Sequence, residues 1–174
     1  VQNKQIQDAL PDNSPYKIDE LDYKKTDEGL LIANRLCQQY GLTHIDFDMF
    51  SGKQGVYIIL CGVHFNKPIL KYGETAYNPS ERLDHHILKY REIKDDNFKF
   101  IGKPLYFRET IDSRKVERCF LNKLQCNQLH LGTNYRIGNV TGRELFTCSD
   151  TIDINGIIIL MNETIDSVNS LTIE

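Results

Sequence analysis

The apolar and polar positions divide the chain into short blocks of different period. Residues 1–25 are mostly polar and carry Pro11 and Pro15, which predicts a loose arm. Leu30, Ala33, Leu36, Cys37 and Tyr40 then recur at helical spacing behind Thr26 and Asp27, with Gly41 as a natural stop. Val56 to Cys61 is an unbroken β-branched and aromatic run between Gly55 and Gly62, the pattern of a buried strand. Ile69 to Tyr72 predicts a second strand, joined to the first as a hairpin through a wide loop over Val63 to Lys67.

The clearest helix start follows. Asn78-Pro79-Ser80-Glu81 offers an N-cap, a proline at the first helical position and a glutamate three residues after the cap. That helix should run through Arg82, Leu83, His86, Ile87 and Tyr90. Phe98 to Phe107 reads as extended, with breaks near Gly102 and Pro104, and Asp112 or Ser113 opens a helix through Val116, Glu117, Phe120 and Leu124. The apolar run Ile157 to Met161 predicts a final strand before an acidic tail.

At 174 residues the chain suits one domain with a real core. Its 40% apolar and 26% charged content excludes disordered and fibrous classes. The net charge of −3 argues against a nucleic-acid partner until it is divided by segment. Residues 1–50 hold 5 basic and 9 acidic side chains, residues 51–148 hold 16 and 10, and residues 149–174 hold none and 5. A basic centre between acidic ends is compatible with a polyanion site. Five scattered cysteines without a C-x-x-C pair suggest reduced thiols. No apolar run approaches the roughly 20 residues of a membrane span, and the first residues lack the apolar core of a secretory leader. The expectation is a cytoplasmic or otherwise intracellular protein (nuclear or viral-factory in a eukaryotic or viral setting) with no membrane partner.

Candidate chemistry gathers on the central elements. Tyr57 lies in Gly55-Val56-Tyr57, Tyr72 in Lys71-Tyr72-Gly73, and Arg82 in the first turn of the next helix with His86 at i+4 on the same face. Glu117 lies early in the helix after the third strand, in Val116-Glu117-Arg118. Each residue alone has a structural reading as core, strand end or surface charge; their order and spacing together carry the signal. In that combination the region 54–135 resembles the GIY-YIG nuclease family.

The resemblance implies an α+β fold with a small three-stranded antiparallel central sheet flanked by helices. Around it would lie an N-terminal helical arm (1–53) and a C-terminal strand extension (149–174) packed on the catalytic domain (54–148). It implies a DNA endonuclease that uses one divalent cation, Mg²⁺ or Mn²⁺. Tyr57 would then be general base or water positioner, Arg82 the phosphate clamp and Glu117 the metal ligand. Many relatives read Tyr-Ile-Gly in the second motif and some phage, viral and restriction-enzyme members read Lys-Ile-Gly, so either Tyr72 or Lys71 holds that position; His86 completes the set. Gly142-Arg143-Glu144-Leu145-Phe146 resembles a late acidic-aromatic motif of some phage and viral members, which makes Glu144 the alternative metal ligand. Asn134 would match a late supporting asparagine.

The chemistry suits these residue types. A guanidinium can contact two phosphate oxygens at once, and a helix N-terminus favours an anion. Mg²⁺ keeps most of its waters, so one carboxylate can suffice. The basic cluster Lys99, Lys103, Arg108, Arg114, Lys115 and Arg118 predicts a surface for double-stranded DNA. A restriction-type enzyme would cut a symmetric site as a homodimer. A catalytically silent nucleic-acid- or protein-binding module on the same scaffold is the alternative class.

Overall fold

A computed structural model describes residues 45–173, with side chains to Leu171, so the polar arm and the helix expected before residue 45 lie outside the described residues. The described chain is α+β. A four-stranded antiparallel sheet carries three α-helices, and a short two-stranded ribbon sits beside it.

Strand β1 (Gly55–His64) is buried along its whole length because both sheet faces are covered, which is why its sequence reads as one apolar run rather than an alternation. It pairs with β2 (Lys67–Thr75) and, on its other side, with β3 (Phe98–Glu109). The hairpin between β1 and β2 is tight, not wide: only Phe65 and Asn66 turn the chain, at φ of 50° and 62°. Two positive-φ residues make a turn whose twist matches the strands, so the ladder extends to its tip. Strand β3 likewise continues through Gly102 and Pro104, where register shifts against β1 absorb the irregularity. Because β3 is an edge strand, the missing N–H of Pro104 is tolerated there.

Helix α1 (Pro79–Arg91) starts as its cap predicts: the Asn78 side chain accepts from the Ser80 N–H at 3.1 Å. It covers one face of the sheet together with a 3-10 turn at Phe47–Phe50, whose Phe47 is buried against Tyr57 and Phe107. Helix α2 (Ser113–Cys126) starts at Asp112, which accepts from the Lys115 N–H at 3.3 Å. It buries Val116, Phe120 and Leu124 on the opposite face. Between α2 and the end of the sheet come the ribbon of β4 (Arg136–Ile137) and β5 (Val140–Thr141) and then β6 (Leu145–Phe146).

Two expectations are corrected. The sheet has four strands, because β6 adds to the free edge of β2 with Leu70 opposite Phe146 and Lys71 opposite Leu145. The run Ile157 to Met161 is not a strand; it lies in helix α3 (Ile154–Ile173). Asp153 accepts from the Gly156 N–H at 2.9 Å at its start, and Ile154, Ile157, Met161, Ile165 and Val168 form the buried stripe at helical spacing. A five-residue apolar run with three β-branched residues carries only a weak strand preference, and a stripe continued over four turns overrides it by burying more apolar surface.

Helix α3 lies on the face of α2. The Tyr106 hydroxyl donates to Asn162 at 2.6 Å, and Arg108 donates to Asn162 at 3.2 Å and to Asp166 at 2.6 Å. No helix among the described residues is long and apolar enough to cross a membrane.

Candidate active site

Strand register decides which side chains meet, because residues directly opposite in an antiparallel ladder share a face. Tyr57 stands opposite Gly73, and Ile59 opposite Lys71, so Tyr57 and Lys71 look out on the α1 side. Tyr72 stands opposite Ile58 and faces the other way. Its ring packs against Phe120 and Phe146, with centroids 5.4 and 6.0 Å away, and the residue is buried. Of the two candidates for the second motif position, it is Lys71 that joins Tyr57.

Gly73 leaves room for Tyr57 to cross the sheet. A Cβ at that position would lie 2.4 Å from the Tyr57 hydroxyl oxygen, so the tyrosine crosses bare backbone. Beyond it the hydroxyl meets His86 Nε2 at 2.8 Å. Capping at Asn78 fixes the phase of α1 and sets Arg82 one turn before His86 on the same side. The Arg82 guanidinium lies beside Tyr57, and its charge favours ionisation there. Burial outweighs it, with Glu144 and Glu117 adding to the rise, so Tyr57 holds its proton well above the ordinary tyrosine range.

His86 answers in the opposite direction. Burial first, then the charges of Lys71, Arg82, Lys89 and His85, push its pKa down to about 3. The imidazole is therefore held towards its neutral form, and in the tautomer with Nε2 unprotonated it can accept the Tyr57 proton.

The carboxylates arrive from two further elements. Glu117 is half-buried near the start of α2, and its pKa is raised to about 7 by burial, then by Glu144 and Glu74, against the opposing pull of Lys71 and Arg82. Among the described residues it has no hydrogen-bond partner. Glu144, just before β6, forms an ion pair with Lys71 at 2.5 Å; the lysine side chain is 9% exposed and the carboxylate 34%. The edge strand thus carries Glu144 to the site, and its backbone carbonyl accepts from the Tyr72 N–H at 3.3 Å.

Two supporting groups were not apparent from the sequence. Glu74 accepts from the Ser113 hydroxyl, tying the end of β2 to the start of α2 and so setting Glu117 against the sheet end. The Tyr90 hydroxyl, one turn beyond His86, is buried with no hydrogen-bond partner among the described residues. Burial and the nearby Cys61, Glu144 and Tyr57 keep it protonated. The i+4 spacing from His86 was the available signal for Tyr90; the Glu74–Ser113 tie left none, since the pair is 39 residues apart.

The basic cluster does not form one surface. Lys103 is 3% exposed inside β3, and Arg108 is held by Asn162 and Asp166 of α3. Lys99 is half-buried opposite Val63, at the other end of β1 from Gly55. Arg114, Lys115 and Arg118 remain on α2 beside Glu117, and Arg114 approaches Glu74 at 3.4 Å with its side chain 87% exposed. Asn134 also falls away from the site: the adjacent Tyr135 hydroxyl meets His64 at 2.7 Å, seven strand residues from Tyr57 and so roughly 20 Å along β1.

Among the described residues no set of three or more His, Cys, Asp or Glu converges on one metal position. The pair that stands closest to such a role is Glu117 with Glu144, two carboxylates whose mutual repulsion a hard cation would relieve. A scan with models of known protein families finds no match to this chain, and comparison with curated proteins and with solved structures also finds none.

Proposed function

We propose that the chain is a metal-dependent endonuclease of the GIY-YIG type that hydrolyses phosphodiester bonds in double-stranded DNA. The observation that supports it best is the meeting of Tyr57, His86, Arg82, Lys71, Glu117 and Glu144 at one end of the sheet, from elements far apart in sequence.

Each group has a task that its environment suits. Arg82 holds two non-bridging oxygens of the scissile phosphate in a planar fork, and Lys71 adds a second positive charge. The attacking water gives a proton to the Tyr57 oxygen as Tyr57 passes its own proton to neutral His86 Nε2. A Tyr57 hydroxyl that resists ionisation cannot act as a standing tyrosinate, so this transfer needs the imidazole as acceptor. Glu117, with Glu144 beside it, would hold Mg²⁺ or Mn²⁺, which when bound supplies charge stabilisation for the phosphate and the departing oxygen. Arg114, Lys115 and Arg118 flank Glu117 as contacts for the DNA backbone.

Cleavage of supercoiled plasmid with Mg²⁺ or Mn²⁺ tests the reading. Wild type should nick or linearise the plasmid, and Arg82→Ala and Glu117→Ala should each lose about 10²-fold or more in rate. A Glu144→Ala comparison assigns the metal carboxylate. Equal cleavage by wild type and both alanine variants would sink the assignment. Binding without cleavage by any of them would favour the silent-module class.

A further inference from the structure

Beside Arg82, between the end of β2 and the start of α1, lies a cleft of about 360 Å³. That is the lower end of the range for sites that take small organic groups. Its lining includes Glu74, Tyr77, Asn78, Glu81, Arg82 and His85. Tyr77 is 68% exposed and, among the described residues, its ring has no partner. Its backbone is nonetheless fixed, because the Thr75 hydroxyl accepts from the Tyr77 N–H at 3.3 Å and from the Asn78 N–H at 3.0 Å. An aromatic side chain is thus presented from a pinned turn at the mouth of a cleft, next to the proposed phosphate clamp.

The charges around the cleft restrict what can enter. Glu74 and Glu81 disfavour an anion in the part of the cleft they line, so a phosphate group belongs at its Arg82 edge. The Asn78 carbonyl oxygen is engaged by the Ser80 N–H, which leaves its NH₂ as a donor. Carboxylates that accept, an amide that donates and an aromatic face together match a neutral, planar group with hydrogen-bonding edges. An unpaired base is recognised in this way, by stacking on an aromatic ring and by contacts to its exposed edge.

We infer that this cleft is a subsite for a single unpaired base of the DNA substrate, which stacks on Tyr77 while the adjoining phosphate lies against Arg82. The inference rests on the nuclease reading and adds to it a preference for DNA with an unpaired nucleotide next to the cut. Bases with an exocyclic amino group suit the Glu81 carboxylate best, since Glu74 already accepts from Ser113 and pairs with Arg114.

The test uses the full chain without divalent cation and two duplexes, one with a single unpaired 2-aminopurine and one fully paired. Wild type and Tyr77→Phe should quench the 2-aminopurine fluorescence and bind the unpaired duplex about 5- to 150-fold more tightly than the paired one, the range one stacked base supplies. Tyr77→Ala should lose both the quenching and the preference; its melting temperature, measured alongside, should stay near wild type because the side chain is exposed. Retention of quenching and preference by Tyr77→Ala overturns the subsite, as does a wild type that binds both duplexes equally. Plasmid cleavage with Mg²⁺, run in parallel, separates the two failures. Wild type that cleaves but shows no preference loses only the subsite, whereas wild type that neither cleaves nor binds DNA loses the nuclease reading and the subsite with it.

Discussion

The Tyr57–His86 contact sets a hydroxyl that keeps its proton 2.8 Å from an imidazole held towards its neutral form. Neither tendency follows from residue type: burial produces both, and the surrounding cations Lys71 and Arg82 reinforce the one on His86. If the pair moves the proton, Tyr57→Phe should lower the cleavage rate by about 10²- to 10⁴-fold while leaving substrate binding largely intact. Single-turnover kinetics measure this directly, and a loss confined to binding would argue for a merely structural tyrosine. Gly73 makes a second prediction at this scale. In Gly73→Ala the new methyl meets the Tyr57 oxygen at 2.4 Å, so the tyrosine must leave His86. Cleavage should fall to the level of Tyr57→Phe, and thermal melting should show a destabilised fold, since overpacking at a buried ladder position costs about 1–3 kcal/mol.

At the scale of elements, the last helix and the edge strand carry most of what was unexpected. In a strand, Ile157 and Ile159 would share a face; in α3, Ile157 is fully buried and Ile159 is 56% exposed. Ile157→Ala should therefore cost about 2–5 kcal/mol in denaturant unfolding, and Ile159→Ala about 0.5 kcal/mol or less. Equal costs for the two would restore the strand. Strand β6 is only two residues long, yet it sets the partner of Lys71. Helix α1 is the element best explained locally. Losing its cap in Asn78→Ala should cost about 1 kcal/mol and loosen the turn that orients Arg82.

For the whole molecule, the site is a cluster of charges whose protonation links stability to pH, and would link cation binding to it if the proposed metal role of Glu117 holds. Glu117 is raised from 4.5 to about 7, so the stability it contributes is complete below pH 4.5 and is lost as pH rises through 7. His86 is depressed from 6.5 to about 3, so its contribution is present above pH 6.5 and is lost as pH falls towards 3. The two slopes oppose each other between pH 4.5 and 6.5, so the Glu117 contribution is read as a difference: the melting temperature of the cation-free wild type should fall relative to that of Glu117→Gln between pH 4.5 and 7. If Glu117 is the proposed ligand, Mn²⁺ affinity by calorimetry should rise up to about tenfold per pH unit towards pH 7 and then level off, because the ion would displace a proton from Glu117. A flat affinity profile across that window would remove Glu117 as the ligand. Much of this molecule was legible in the sequence where the cause is local: β1 and β2 from their apolar runs, α1 from Asn78-Pro79, and α2 from Asp112. Three things were decided only by tertiary structure. The choice of Lys71 over Tyr72 depends on ladder register, which assigns alternate residues to opposite faces and cannot be read from one strand alone. The dispersal of the basic cluster depends on α3, whose Asn162 and Asp166 hold Arg108, and on the sheet, which buries Lys103. The helical state of Ile157 to Met161 depends on a stripe that only a covered sheet face rewards, since burial, unlike propensity, is a property of what a segment packs against.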